Sequence, residues 1–182
     1  MTDLLAAADA ASRVAIGLVF AVAAVAKARD LGAFARSLEP FLTVAKPLYR
    51  PLAVAVVGAE LAAAVLVAIP ATVFWGFGLA LALNAVFAVA IVRVLRRGVA
   101  ATCNCFGAAD SRLSRRHLVR DLVLAVPALL GLAAAAAVAH PATPLHWLAG
   151  APLGAVAALV VIRFEDVADL FAPARPGTPA RR

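Results

Sequence analysis

Long apolar stretches cut by short charged ones dominate the chain. The first, residues 10–28, holds an uncharged block between Arg13 and Lys27. The second covers residues 51–69 and has Glu60 near its middle. The third, residues 71–92, carries Trp75 near one end and Asn84 inside. A fourth runs over residues 116–139 around Pro127 and Gly131, and a weaker fifth over 145–162 contains Gly150, Pro152 and Gly154. A helix rising ~1.5 Å per residue needs ~20 apolar residues to cross a ~30 Å hydrocarbon layer, and these stretches approach that length. The pattern predicts an all-α integral membrane bundle of four to five transmembrane helices. Pro70 alone separates the second stretch from the third, so those two must form an antiparallel hairpin. Arg13 and Lys27 are expected to snorkel to opposite surfaces and so lengthen the first span.

The segments between the spans are informative too. In residues 30–50, Phe34, Leu38, Phe41 and Leu42 recur at three- and four-residue spacing among Arg36, Glu39 and Lys46. That spacing suits a short amphipathic helix at the membrane interface, with a solvated connector as the alternative. Pro40, Pro47 and Pro51 should break it. Ser114 is placed to cap the fourth helix. Phe74, Trp75 and Phe77 suggest an interfacial aromatic belt. Residues 173–182, rich in Pro and Arg, read as a disordered basic tail. Asp3 and Asp9 stand where a cleaved leader would be basic, which argues against that reading of the head.

Composition agrees: 65% of the residues are hydrophobic and 15% charged, against roughly 45–50% and 25% in a soluble domain. The net charge of +7 would suggest nucleic acid in a soluble protein. Here the basic residues sit at span ends, so the lipid bilayer is the partner and nucleic acid is not. With five spans, one set of loops holds Lys27, Arg29, Arg36, Lys46, Arg50, Arg93, Arg96, Arg97, Arg112, Arg115, Arg116, Arg120, Arg163, Arg175, Arg181 and Arg182, leaving Arg13 alone on the other side. The positive-inside rule makes this a multi-pass cell-membrane protein with the 93–116 connector on the cytoplasmic side.

That connector holds the only two cysteines, Cys103 and Cys105. A bridge between them closes almost no loop and adds little stability, and it would be strained and prone to exchange. Arg112, Arg115 and Arg116, with a helix start just beyond, favour the thiolate. The functional reading is a redox-active dithiol; the plain one is a pair of inert loop residues. A metal clip with His117 lacks ligands for a structural zinc site, so no metal is expected. Glu60 near mid-membrane should face the bundle interior with a partner. Asn84, at comparable depth, is the nearer candidate for that partner and Lys27 the longer reach. Such an interior polar site suits a proton relay or a contact to a quinone, or simply helix packing. His117, Arg120 and Asp121 could orient a substrate or take protons from the thiols, but a surface ion pair at the helix start explains them equally.

At these residues the chain resembles the MauE family of methylamine-utilisation membrane proteins and, more distantly, DoxX-like membrane proteins. The resemblance rests on the stretch from Arg13 to Lys27, on Gly58-Ala-Glu60-Leu61, on Thr102-Cys103-Asn104-Cys105-Phe106-Gly107, and on the fourth-span opening at Arg120. Arg120-Asp121 stands where the family is expected to have Arg-Asn. The resemblance covers roughly residues 12–139 and implies a four-helix domain over about 10–139; the apolar pattern alone makes 145–164 a fifth helix. It also implies a role in maturing or exporting the disulfide-rich small subunit of methylamine dehydrogenase, and so a thiol or disulfide protein partner. A dithiol just before the fourth helix is also similar to the vitamin K epoxide reductase family, which passes electrons from thiols to a quinone. That similarity implies an extracytoplasmic dithiol, whereas the charge count implies a cytoplasmic one.

Overall fold

The computed structural model describes residues 2–42, 44–98, 113–137, 143–164 and 166–167. Among these, every element of regular secondary structure is helical. Helix α1, Thr2–Arg29, begins before the apolar stretch does. It tolerates the early charges because Asp9 and Arg13, one turn apart, pair at 2.8 Å. The short α2, Leu31–Ser37, is capped by Asp30, whose side chain accepts the Ala33 N–H at 2.8 Å. A short helix is therefore present within the 30–50 segment, and it stops before Pro40. A 3-10 turn, Lys46–Leu48, leads into α3, Tyr49–Ala68. Pro51 sits in the first turn of α3, where the helix has no use for its missing N–H. A second 3-10 turn, Pro70–Thr72, closes the hairpin, and the Thr72 hydroxyl donates to the Leu66 carbonyl at 2.9 Å.

Helix α4, Val73–Arg97, ends at Gly98, whose φ of 64° gives the left-handed cap that glycine adopts without strain. Helix α5, Arg115–Ala137, follows Ser114. Helix α6, Pro144–Ile162, starts at Thr143, whose backbone N–H donates to His146 Nδ1 at 3.1 Å. Five of the six helices are long and apolar enough to cross a membrane, so the weak fifth stretch is as much a candidate span as the others.

Close approaches fix the directions of the helices. A Cβ on Gly17 of α1 would meet Val67 of α3, while Lys27 of α1 meets Glu60, so α1 and α3 are antiparallel. Gly76 of α4 lies against the α3 backbone at Val67, where a Cβ would be 2.6 Å from its nitrogen. Gly131 of α5 faces the ring of Phe77, which is fully buried. Phe77 is thus a core residue, not part of a belt: it fills the hollow that Gly131 leaves. Phe74 and Trp75 stay exposed, with their rings edge to face at 5.6 Å. The seam between α1 and α6 follows the same logic. Gly150 and Gly154, one turn apart, press onto the Ala7 and Ala11 carbonyls, leaving no room for side chains. Small residues let helix backbones approach within a bilayer, where dispersion contacts must replace the hydrophobic drive. His146 near the start of α6 lies 3.3 Å from Asp3 near the start of α1, so these two helices run parallel.

The alternation gathers the C-terminal ends of α1, α4 and α6 with the N-terminal ends of α3 and α5. Every described basic residue except Arg13 lies at that end, which is also the end where the 99–112 segment joins α4 to α5.

A polar cleft around a buried ion pair

Lys27 sits two residues before the end of α1, where a lysine would ordinarily reach for water. It turns inward instead. Its Nζ lies 2.5 Å from Oε1 of Glu60, and the two residues are only 4% and 1% exposed. The rings of Phe34 and Phe87 lie 5.5 and 5.8 Å from the same ammonium. The expected snorkelling of Lys27 is therefore not found, for a physical reason. An ammonium enclosed by a carboxylate and two aromatic faces is compensated, and so can leave water.

The pair lines a small, partly open cleft with a volume of about 40 Å³. Asn84 of α4 and Arg120 and Asp121 of α5 supply the other polar groups, and Phe20, Phe87 and Leu124 supply much of the apolar wall. Measured along the helices, Arg120 is roughly 8 Å from the start of α5, Glu60 roughly 17 Å from the start of α3, and Asn84 roughly 20 Å from the end of α4. The polar groups thus descend from the basic end of the bundle towards its middle. Asn84 is 4% exposed, and neither atom of its amide makes a hydrogen bond among the described residues. The hydrogen bond from Asn84 to Glu60 that similar depth suggested is not formed. The ammonium is the stronger partner for a buried carboxylate, and it occupies that position.

His117 departs from expectation as well. It is 3% exposed, so it does not belong to a solvated surface pair. Its Nδ1 accepts the Ser114 backbone N–H at 3.2 Å, satisfying a donor at the helix start that Ser114 was expected to open. Arg115 and Arg116 are exposed beside it. The candidates Cys103, Cys105 and Arg112 lie outside the described residues, as does the 173–182 tail.

The cleft therefore brings together Lys27, Glu60, Asn84, Arg120 and Asp121, which lie on four helices, α1, α3, α4 and α5. The Phe34 and Phe87 rings against Lys27 were not foreseen. Phe87 was open to inference, since it follows Asn84 at helical spacing on one face.

The family model of the methylamine utilisation protein MauE matches residues 4–134. The chain belongs to the MauE family. The match runs from α1 into α5 and includes every residue lining the cleft except Val161 of α6. It stops short of α6, so this MauE-family chain carries one candidate span beyond the matched region. Neither a curated protein nor a solved structure matches the chain significantly. Family and helices together make it a multi-pass membrane protein in contact with the lipid bilayer.

Proposed function

We propose that this MauE-family chain is a thiol–disulfide exchange component that matures a disulfide-rich exported protein, with Cys103 and Cys105 as its reacting pair. In the family the implied target is the methylamine dehydrogenase small subunit. One thiolate attacks a sulfur of a partner disulfide, forming a mixed disulfide and releasing the partner's other sulfur as thiolate. The second cysteine, deprotonated, then attacks the mixed disulfide. Cys103 and Cys105 leave as a disulfide, oxidised by two electrons, and the partner leaves as a dithiol, reduced by two. The reverse sequence oxidises the partner.

The observation that carries this reading is which helices build the cleft. The segment holding both cysteines joins α4 to α5, the helices that bring Asn84, Arg120 and Asp121 to the Lys27–Glu60 pair. Exposed Arg115 and Arg116 begin α5 and favour thiolate nearby. The gathering of basic residues at that end supports a cytoplasmic dithiol, which would take electrons from cytoplasmic thiols.

The test is to trap mixed disulfides in cells expressing Cys103→Ser or Cys105→Ser singly and to identify the attached protein. One variant should accumulate a covalent adduct that reductant dissolves. The same cleft favours a second reading, a non-catalytic assembly subunit or small-solute carrier working through Glu60. Full function in both cysteine variants, with no adduct, would select it.

A further inference from the structure

A second groove lies outside the cleft, where α2 meets the start of α3. Gly32, Ala35, Arg36, Glu39, Lys46, Tyr49 and Arg50 line an open groove of about 290 Å³ there. Its chemistry is one-sided. Arg36, Lys46 and Arg50 face a single carboxylate, Glu39, leaving two positive charges uncompensated. None of these four makes an ion pair among the described residues. All four are exposed, so they are free to meet a ligand.

The frame that holds them is firm. Asp30 caps α2, Phe34 and Ala35 bury its inner face against Ala53 of α3, and the Tyr49 hydroxyl donates to the Leu42 carbonyl at 2.9 Å across the intervening turn. The groove also sits at a defined height. It flanks the first turn of α3, a candidate membrane span, at the end of the bundle that collects nearly all the basic residues. Phospholipid phosphates lie near the ends of membrane spans, and basic pockets there attract anionic headgroups.

We infer that the groove formed by Arg36, Lys46 and Arg50 is a binding site for the phosphate of an anionic phospholipid headgroup. Guanidinium groups bind phosphate through paired N–H donors, and the lysine adds a compact charge. Glu39 is left to accept from a headgroup hydroxyl, which suits a glycerol-bearing headgroup.

The experiment uses the full chain in detergent and measures the melting temperature against added short-chain phosphatidylglycerol, phosphatidylcholine or inorganic phosphate. Wild type should be stabilised by phosphatidylglycerol well below the concentration at which phosphatidylcholine acts. The triple variant Arg36→Gln, Lys46→Gln, Arg50→Gln should need about 100-fold more of the anionic lipid, from roughly fivefold per cation at a membrane surface. A control triple variant, Arg93→Gln, Arg96→Gln, Arg97→Gln, removes equal charge at the same end and should stay within about twofold of wild type. Equal losses in both triples would reduce the effect to general charge attraction and overturn the site. So would equal stabilisation by the two lipids. Saturation by inorganic phosphate at the concentration where the lipid acts would assign the groove to soluble phosphate and overturn the lipid.

Discussion

Replacing Glu60 by Leu should destabilise the protein even though it removes a charge from the membrane interior. Counting Glu60 alone, the change relieves an insertion cost of roughly 2.5–3.5 kcal/mol. The structure reverses that expectation, because Lys27 is 4% exposed and its only described ion-pair partner is Glu60. Breaking a buried pair from one side strands the other charge and costs about 3–5 kcal/mol. Lys27→Met should also destabilise the protein, because it removes the ammonium paired with the buried Glu60 carboxylate. The double variant, with apolar groups of similar volume at both positions, should return to within about 1 kcal/mol of wild type or exceed it. At ~2–4 °C per kcal/mol for a chain of this length, Glu60→Leu should melt roughly 6–20 °C low and the double variant near wild type. The assay is thermal unfolding of the four proteins of the cycle, at one scan rate in one detergent, so that irreversibility affects all alike. A Glu60→Leu protein as stable as wild type would refute the reasoning, because Lys27 would then have reached water by itself. Strict additivity of the two losses would refute it as well, since an ion pair must couple them.

Gly154→Leu should cost at least about 3 kcal/mol by forcing α6 off the Ala11 carbonyl, whereas Gly58→Ala, with open space around it, should gain up to about 1 kcal/mol; both are read by the same melts. Asn84→Leu should raise the melting temperature, by about 1–2 kcal/mol of relieved desolvation, yet lower maturation of the exported partner in cells; unchanged maturation would make Asn84 a packing residue only. A membrane-impermeant maleimide should label Cys103 and Cys105 in lysed but not intact cells, and efficient labelling of intact cells would place the dithiol outside. Arg115→Gln with Arg116→Gln should slow alkylation near neutral pH, more at low salt than at high salt, because exposed charges are screened over ~10 Å at 0.1 M.

Much of the fold was legible because hydrocarbon imposes a length on apolar runs. The hairpin at Pro70 and the five long helices follow from that single constraint. What escaped the sequence was which face each residue takes. Phe74, Trp75 and Phe77 look alike as a cluster, but α4 turns Phe77 onto Gly131 and leaves its neighbours exposed. Glu60 announced an interior partner, yet its identity depended on how α1 and α3 cross. Lys27 lies 33 residues away, and Asn84 on the adjoining hairpin helix looked nearer. Gly150 and Gly154 weakened the fifth stretch as a helix by propensity, although they are what seats α6 on α1. His117 read as half of a surface ion pair because Asp121 follows it at helical spacing, whereas its ring is buried and accepts the Ser114 N–H at the helix start.

The Lys27–Glu60 pair also orders events during synthesis. Helix α1 leaves the ribosome well before α3, so for a time its lysine has no carboxylate to meet. Lying two residues from the helix end, that lysine can extend to the headgroups and keep α1 tolerable in lipid. Once α3 inserts, Glu60 arrives with an equal and opposite difficulty, and each charge relieves the other. An outward lysine thus describes the lone helix and an inward one the assembled bundle. The exchange between them makes pairing of α1 with α3 a step that the membrane itself enforces.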